Sequence, residues 1–261
     1  MTTFSTQYIL VLMNALTARQ TQILKALIDE YIETAEPVGS SQLEKKYNLG
    51  VSPATIRNEM NLLTKQGFLK QPHTSAGRVP TSGAMKFYID QLMEEKTLSL
   101  ADEVKAKEEV WDERGNFDKF MNEMTRSLAQ RTGSMAVAVT DDGNVWQAGH
   151  ANVFLYPEFA DLGICSSLFG FVDEDDQLLD LFFHRFPIET PFDVLFAEEI
   201  GLRHLPVGIV AAHFKVKDKQ GLAGASKNGA LGVIGPIRQS YSRIVPTIRY
   251  YRGMLEEVLG V

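Results

Sequence analysis

The stretch VSPATIRNEMNLLTKQG, residues 51–67, constrains the fold more than any other part of the chain. Ser52 is a good N-cap, and Pro53 suits the first helical position, where its missing N–H leaves no hydrogen bond unmade. Gly67 is a natural C-terminal stop, so the stretch predicts a helix from Pro53 to Gly67. At 100° per residue three apolar side chains fall within about 60° of one another. This face must pack against a core, and its members are Ile56, Met60 and Leu63.

The opposite face of the same helix carries small and polar residues, none of them acidic: Ala54, Arg57, Asn58, Asn61 and Lys65. An asparagine can pair with the N6/N7 edge of adenine, and an arginine with the O6/N7 edge of guanine. The small Ala54 and Thr55 near the helix start allow close approach to base edges or to a thymine methyl group. The face therefore indicates a helix that reads DNA; the alternative is an ordinary solvated helix face.

A longer helix is predicted near the start of the chain. Thr17 and Gln20 have the spacing of a capping box, and apolar residues recur at three- and four-residue steps over 17–34. Pro37 and Gly39 follow and end this helix.

A short second helix is predicted to begin at Ser40 and Ser41, with Glu44 in the position that completes a cap on Ser41. It ends near Tyr47, and Gly50 can then adopt positive φ in a turn. The predicted order is therefore a helix, a short helix, a turn that contains glycine, and a capped helix. This is the order of a helix-turn-helix motif, whose last helix enters the major groove.

The loop PHTSAGRVP, residues 72–80, follows the third helix. Phe68–Gln71 reads as a strand and Val79 begins a return strand, so the loop is predicted to be the tip of a β-wing. Ala76 and Gly77 keep its backbone unobstructed, and four side chains can donate to phosphates or reach the adjacent minor groove: His73, Thr74, Ser75 and Arg78. By itself the loop would also fit a plain surface turn.

The residues predicted to contact DNA therefore come from three segments: the short second helix, the third helix with its cap, and the wing loop. Base reading is assigned to Arg57, Asn58 and Asn61, and phosphate positioning to Ser40, Ser41, Lys45, Thr74, Ser75 and Arg78. The remaining predicted contacts are Ser52, Ala54, Thr55, Lys65, His73 and Gly77.

The charge distribution is compatible with a small DNA-binding head on a larger body. The whole chain has a net charge of −7, but residues 1–90 contain nine Lys and Arg against seven Asp and Glu. The remaining residues contain 17 against 26 and are therefore strongly acidic. The negative net charge of the whole chain therefore does not exclude that residues 1–90 bind nucleic acid.

Composition also limits the compartment and the class of protein. The single cysteine, Cys165, excludes an internal disulfide framework and a multi-cysteine zinc site, and is expected to be a buried small hydrophobe. No apolar run approaches the roughly 18 residues of a membrane span. The apolar run Tyr8–Met13 lacks the basic flank of a secretion signal. We expect a soluble, cytoplasmic protein without membrane association, in which Met13 is a candidate translation start.

An enzymatic function finds no support in the motifs. Gly229, Gly232 and Gly235 lack the spacing of a dinucleotide fingerprint and precede Pro236 instead of a helix. The acidic run 173–176 is more typical of a solvated turn than of a metal site. The histidines form no HExxH or other short ligand spacing: His73, His150, His184, His204 and His213. We therefore predict no catalytic site, no metal and no cofactor.

The remainder of the chain predicts an α+β body. Helices are expected over Ser82–Glu95, Ala101–Trp111, the apolar stripe Phe117–Leu128, and a C-terminal run from Tyr241 to Val258 that Pro246 interrupts. Strands are expected over Ser134–Val139, Val145–Trp146, Leu178–Phe186, Phe192–Ala197, Val207–Val216 and Leu231–Ile234, with a polar loop at Lys217–Gly229. The predicted domains are an N-terminal extension over 1–15, a winged helix-turn-helix over 16–96, and a helical linker with an α+β domain over 97–261.

Residues 16–90, and especially VSPATIRNEM and QPHTSAGRVP, resemble the winged-helix head of the HrcA family of heat-inducible transcription repressors. NVFLYPEFAD (152–161) and GALGVIGPIRQSYSRI (229–244) are similar to the GAF-like regulatory domain of that family. The resemblance implies a homodimeric repressor that binds an inverted-repeat operator ahead of chaperone genes and depends on a GroE-type chaperonin. Members usually have a long additional stretch after Val145-Trp146, so this chain is expected to be a compact variant with a shortened regulatory region.

Two alternatives stay open. In a regulator that responds to a small molecule, the GAF-like body would act as the ligand sensor. A winged helix can also serve as an interaction module on an enzyme, as in biotin-ligase-like architectures, and the body would then bind a nucleotide.

Overall fold

A computed structural model describes residues 16–186, 192–217 and 226–259. The predicted N-terminal extension over 1–15, with its candidate start at Met13, lies outside the described residues, as does most of the predicted loop Lys217–Gly229. The chain divides into two compact units, Met1–Glu94 and Glu95–Val261.

Three helices form the first part of the first unit: α1 (Ala18–Thr34), α2 (Ser40–Lys46) and α3 (Pro53–Lys65). The capping box predicted for α1 is confirmed, because the N–H of Gln20 donates to Thr17 Oγ1 at 3.2 Å and the N–H of Thr17 donates to Gln20 Oε1 at 3.0 Å. The helices enclose a core of fully buried apolar side chains that includes Ile23, Leu24, Leu27, Ile28, Leu43, Ile56 and Leu63.

The predicted cap of α2 is wrong. The helix begins with Gly39 as its N-cap, and the Gly39 N–H donates to Gln42 Oε1 at 3.5 Å, so Ser41 lies inside the first turn and does not cap it with Glu44. The reason is tertiary. Val38, just before the helix, pairs with Arg78 of the wing as an isolated β-bridge, and this pairing fixes where the chain turns into α2.

The start and end predicted for α3 are confirmed. Ser52 Oγ accepts the N–H of Thr55 at 3.3 Å, Pro53 occupies the first helical position, and Gly67 has φ +83° after the last turn. Each of these interactions joins residues that are close neighbours in the chain. The sequence alone is therefore enough to predict them.

A two-stranded wing follows α3. Strand β1 (Leu69–Lys70) pairs antiparallel with β2 (Val79–Pro80), a shorter pairing than the predicted strand Phe68–Gln71. Helix α4 (Ser82–Phe87) continues into a wider, π-helical turn at Tyr88–Leu92, so the helical run ends before the predicted Glu95.

The described residues of the second unit form a five-stranded antiparallel sheet from β3 (Met135–Thr140), β4 (Val145–Ala148), β5 (Asp193–Phe196), β6 (Val207–Lys217) and β7 (Ser226–Pro236). The strands lie in the order β4-β3-β7-β6-β5. The described residues of this unit form three long helices: α5 (Leu100–Trp111), α6 (Phe117–Thr132) and α9 (Tyr241–Leu259). Of these, α6 and α9 contact the sheet. The predicted α+β class is confirmed.

The segment between β4 and β5 covers one face of this sheet. Short 3-10 turns at His150–Leu155 and Pro157–Phe159 lead to α7 (Leu162–Val172) and α8 (Asp175–Asp180). One buried cluster joins β3 to these elements, including Met135, Val137, Val139, Phe159, Cys165, Leu168 and Leu178. The prediction of Cys165 as a buried small side chain is confirmed.

The strand predicted at Leu178–Phe186 is wrong. Helix α8 and a π-helical turn at Leu181–Arg185 occupy this stretch. The buried side chains of this stretch are spaced one, three and four residues apart, as in a helix and not as in a strand: Leu178, Leu181, Phe182 and Phe186. A short, nearly continuous apolar run does not by itself distinguish a buried strand from a buried helix.

Pro246 does not interrupt the last helix, contrary to prediction. A proline inside a helix has no N–H for the carbonyl four residues earlier, here Ser242. In this fold the N–H of Lys96 donates to that Ser242 carbonyl at 2.8 Å. The freed acceptor is therefore satisfied from elsewhere in the unit, and α9 runs from Tyr241 to Leu259.

Candidate nucleic-acid interface

Helix α3 presents its predicted polar face to solvent. Ile56, Met60 and Leu63 are buried, whereas the opposite residues are exposed: Ala54, Arg57, Asn58, Asn61 and Lys65. Glu59, the one acidic residue of the helix, is drawn to α1, where Gln20 Nε2 donates to its carboxylate at 3.1 Å and Arg19 lies 3.8 Å away. The exposed face of α3 is therefore cationic and amide-bearing.

The dimensions of α3 suit a DNA groove. Its 13 residues make a rod of about 20 Å at 1.5 Å per residue. A helix with its side chains is about 10–12 Å across, and the major groove of B-DNA is about 12 Å wide. The small Ala54 is exposed and Thr55 half-buried at the N-terminal end, where Ser52 Oγ also lies 3.0 Å from Thr55 Oγ1.

The wing is attached to α3 through Arg78. Its Nη2 donates to Asn61 Oδ1 at 2.8 Å, and its Nε donates to Thr64 Oγ1 at 3.2 Å. Thr64 Oγ1 in turn donates to the Met60 carbonyl at 2.8 Å, so its remaining lone pairs accept from the guanidinium. One predicted wing residue and one predicted base-reading residue are thus joined directly.

The tip of the wing is shaped by Gln71, which the sequence analysis missed. Its Nε2 donates to the carbonyls of Thr74 and Ala76 at 2.9 and 3.0 Å, and the Ala76 N–H donates to the His73 carbonyl at 2.9 Å. These bonds use backbone acceptors inside the loop and leave the side chains of His73, Thr74 and Ser75 exposed. The position of a side-chain amide directly before Pro72 is the only signal that could have indicated this role.

Gly77 has a packing function that the sequence did not indicate. A Cβ at this position would lie within 3.0 Å of the backbone carbonyl of Val38, a separation that real Cβ atoms essentially never show. Val38 and Arg78 exchange two backbone hydrogen bonds of 2.9 Å, so the wing passes directly against the segment that precedes α2. The missing side chain faces Val38, whereas the prediction attributed Gly77 to close approach of DNA.

A cleft of about 480 Å³ lies between α3, the start of α2 and the wing. It contains seven of the residues predicted to contact DNA: Ser40, Arg57, Asn61, Thr74, Ser75, Gly77 and Arg78. Gly39, Met60, Gln71 and Ala76 complete its lining, and no acidic side chain is among them. Ser40 is only 6% exposed, so its hydroxyl is much less accessible than that of the neighbouring Ser41.

The other predicted residues lie outside this cleft. Ser41 and Lys45 border a separate shallow depression on α2 together with Gln42 and Lys46. The residues at the start of α3 are Ser52, Ala54 and Thr55, and further exposed positions on α3 and the wing are Asn58, Lys65 and His73. The predicted set therefore forms one concentrated site with flanking contacts along α2 and α3.

A buried carboxylate holds α2 against α1. Glu30 is 3% exposed and accepts hydrogen bonds from Gln42 Nε2 at 2.7 Å and Tyr47 Oη at 3.2 Å, while Lys46 Nζ lies 2.6 Å away. Burial opposes ionisation of Glu30, but the bonds from Lys46, Gln42 and Tyr47 outweigh it and lower its pKa. Burial and the nearby Glu30 charge raise the pKa of Tyr47 to about 12. Lys46 is paired with Glu30 here, so Lys45 is the lysine of α2 that can serve another contact.

The part of the chain that the structure describes holds neither a metal-binding cluster nor a helix that could cross a membrane. No group of three or more His, Cys, Asp or Glu side chains there could hold a metal ion. The Cys165 thiol donates to the Phe159 carbonyl at 3.0 Å in the core. Across the same residues, every helix is too short or too polar to traverse a lipid bilayer.

Comparison with known families gives two matches. A model described as "Winged helix-turn-helix transcription repressor, HrcA DNA-binding" matches residues 15–94, and one described as "HrcA protein C terminal domain" matches residues 81–245. The proteins named heat-inducible transcription repressor HrcA from Symbiobacterium thermophilum and Synechococcus elongatus are 44% and 41% identical over 119 and 141 residues. These alignments cover 46% and 54% of this chain, but only 35% and 40% of the two relatives.

A solved structure is similar over nearly the whole chain. The crystal structure of a hypothetical protein at 2.2 Å resolution matches with a TM-score of 0.69 and 18% identity, and covers 94% of this chain and 98% of that chain. At this level of identity the likeness concerns the fold. The fold is a winged helix-turn-helix followed by a GAF-like α+β domain, as predicted.

Proposed function

This chain belongs to the HrcA family, as its motifs indicated, and from that premise we propose that it represses chaperone genes by binding double-stranded DNA. The observation that supports DNA binding best is the exposed face of α3, where Arg57, Asn58, Asn61 and Lys65 point away from the core beside the wing. A helix so placed would enter the major groove, where base edges carry a distinct pattern of donors and acceptors.

The operator is proposed to be an inverted repeat bound by a homodimer. Two copies of α3 would occupy successive major grooves, about 34–36 Å apart or a multiple of that distance. A dimer with twofold symmetry requires half-sites with the same symmetry, so each half-site would be read by the same residues in reverse orientation.

The exposed residues divide into two proposed roles. Arg57, Asn58 and Asn61 would contact base edges, because guanidinium and amide groups match their hydrogen-bonding patterns. Phosphate contacts would come from the hydroxyls and cations at the edges of the interface: Ser41, Lys45, Lys65, Thr74 and Ser75. Ser40 is only 6% exposed and is not part of this proposal. His73 and the start of α3, with Ser52, Ala54 and Thr55, would complete the contact surface.

Equilibrium binding to DNA of known sequence separates these roles. The DNA is the region upstream of the chaperonin genes of the same genome, with a shuffled duplex of equal composition as competitor, over 50–200 mM salt. Asn58→Ala should reduce discrimination between the two duplexes by roughly 1–3 kcal/mol, because it removes a base contact. Lys45→Ala should weaken both duplexes alike and reduce the salt slope by about one, because it removes a phosphate contact.

The outcome that contradicts DNA recognition is equal binding of both duplexes by the unaltered chain. Equal loss of discrimination in Asn58→Ala and Lys45→Ala would contradict the division of roles and leave DNA recognition intact. Dimer formation is tested separately by sedimentation of the free chain and of its complex with a duplex that carries both half-sites.

Binding to the operator is proposed to depend on a GroE-type chaperonin, and heat is proposed to release the operator. Heat would reduce the population of binding-competent dimers, and the chaperonin would restore it. After a heat pulse, the fraction of chain that binds the chaperonin-gene DNA should recover faster with chaperonin and ATP than with ATP alone. Equal recovery under both conditions would contradict this part of the proposal.

A further inference from the structure

The hydrogen bond between Arg78 and Asn61 restricts what Asn61 can offer to DNA. We infer that Arg78 is a positioning residue that holds Asn61 as a hydrogen-bond donor, so that Asn61 reads an acceptor-bearing base edge and does not pair bidentately with adenine. The inference rests on the proposed DNA-binding function and refines it, because it specifies which bases this residue selects.

Arg78 is held from both its backbone and its side chain. Its N–H and carbonyl each form a 2.9 Å hydrogen bond with Val38, and the adjacent Gly77 fits against the Val38 carbonyl where no Cβ could. Its Nε donates to Thr64 Oγ1 at 3.2 Å, on the helical turn that follows Asn61. With the stem fixed at these points, Nη2 has a defined direction, 2.8 Å from Asn61 Oδ1.

The chemistry of the pair decides which way the Asn61 amide points. A guanidinium has only donors and never loses its charge in a protein, so the atom that faces it must be the amide oxygen. The NH₂ group then lies on the other side of the amide, and the Asn61 side chain is exposed. A charge-assisted bond of this kind is roughly twice as strong as a neutral one, so rotation of the amide away from Arg78 is disfavoured.

Asn58 provides a contrast on the same helix face. Within the described residues, the Asn58 side chain is exposed and makes no hydrogen bond or ion pair. It can therefore turn both its oxygen and its NH₂ toward the N6/N7 edge of adenine, as bidentate pairing requires. Asn61 could do the same only by giving up Arg78.

The restriction predicts a base preference. In the major groove, guanine presents two acceptors, O6 and N7, and thymine presents O4, whereas adenine presents N7 beside the N6 donor and cytosine presents only the N4 donor. A donor-only Asn61 should favour guanine or thymine at the contacted position, disfavour adenine because the N6 donor adjoins N7, and reject cytosine strongly. Release of its oxygen should shift the preference toward adenine, whose edge offers one donor and one acceptor.

The test selects a duplex library with a randomised core, using the full chain and three variants: Asn61→Ala, Arg78→Lys and the double variant. Lysine keeps the positive charge but cannot form the planar fork that binds Asn61 and Thr64 together. Asn61→Ala should abolish the preference at one position of each half-site. Arg78→Lys should change the selected base at that same position toward adenine, by roughly 5- to 150-fold in relative enrichment. The double variant should match Asn61→Ala, because the effect of Arg78 passes through Asn61.

Two controls keep the test decisive. Asn58→Ala should relax a different position, which Arg78→Lys leaves unchanged. Thr64→Val removes the acceptor for Arg78 Nε without altering charge, and should shift the Asn61 position in the same direction as Arg78→Lys if the lysine variant fails to fold. Thermal melting of each variant establishes that it is folded.

The inference is overturned if Arg78→Lys weakens all sequences equally and keeps the base preference, as a phosphate contact would. It is overturned too if the unaltered chain selects adenine or cytosine at the Asn61 position, or if Asn61→Ala changes no position. A library that yields no enriched sequence with the unaltered chain would refute the proposed function itself. In the DNA-free protein, the Arg78 Nε–H signal should be protected from solvent exchange and lose protection in Asn61→Ala and Thr64→Val.

Discussion

Gly77→Ala is predicted to loosen the first unit although it adds only one methyl group. The new Cβ would lie 2.7 Å from the Pro37 carbonyl carbon and within 3.0 Å of the Val38 carbonyl, and these neighbours are backbone atoms that cannot rotate away. If the wing stays in place, overpacking costs about 1–3 kcal/mol. If the wing moves off, the two Val38–Arg78 hydrogen bonds are lost, at about 0.5–1.5 kcal/mol each.

Either route leads to a similar loss of stability. The equilibrium constant for opening of this region should therefore rise by roughly 5- to 150-fold, since 1.4 kcal/mol corresponds to a factor of ten. Loss of the wing position also removes Arg78 from Asn61, so sequence-specific DNA binding should fall more than binding to random DNA.

Amide hydrogen exchange of the full chain is the suitable assay, because it resolves the two units by peptide. The chain has two tryptophans, Trp111 and Trp146, and both lie in the second unit. Tryptophan fluorescence during urea unfolding therefore serves as the control that the second unit is unchanged. In Gly77→Ala, the protection of peptides from α1 and α3 against exchange should fall by roughly 5- to 150-fold.

Gly83→Ala is the matched substitution. Gly83 lies in the first turn of α4, is exposed, and its added Cβ would have a nearest neighbour at 3.8 Å. It should keep or increase protection, by up to about 1 kcal/mol, because alanine is the better helix former. If Gly77→Ala and Gly83→Ala gave the same exchange rates in α1 and α3, the argument from the Val38 contact would be refuted.

Two further predictions concern pH. His213 is buried, its Nε2 lies 2.7 Å from the Phe182 carbonyl, and burial lowers its pKa below 6.5. The unfolded chain then binds a proton that the folded chain does not, so this contribution to stability is complete above pH 6.5 and is lost as the pH falls toward the folded pKa. His213→Gln should flatten this dependence in urea unfolding followed by tryptophan fluorescence, and an unchanged slope would contradict the assignment. Glu30 has a lowered pKa, so its contribution is present above pH 4.5 and is lost as the pH falls through the folded value. Glu30→Gln should destabilise the first unit near neutral pH by about 1–3 kcal/mol and weaken its acid sensitivity, measured by hydrogen exchange in α1; equal protection in both proteins would show that the Glu30 charge is not needed.

The features predicted best from the sequence were those that depend on neighbouring residues. The cap of α1 at Thr17, the cap of α3 at Ser52 and the turn at Gly67 are hydrogen-bond or φ requirements satisfied within four residues. The exposed face of α3 was predictable for a similar reason, since helical periodicity assigns Ile56 to the core and Asn58 to solvent without knowledge of the partner elements.

Errors arose where distant residues decide the structure. Ser41 and Glu44 had the spacing of a cap, but the bridge between Val38 and Arg78 starts α2 at Ser40. The apolar run at Leu178–Phe186 fits a strand as well as a helix until the neighbouring elements of the core are known.

The amino-acid sequence determined the three helices of the head, the wing, the α+β class and the family, because periodicity, caps and motifs are written in neighbouring residues. Only the tertiary structure decided that Asn61 faces Arg78, that Gly77 fits against Val38, and that the N–H of Lys96 satisfies the acceptor freed by Pro246. Each of these contacts joins residues 17 to 146 positions apart, so its energy depends on how the chain packs and not on local propensity.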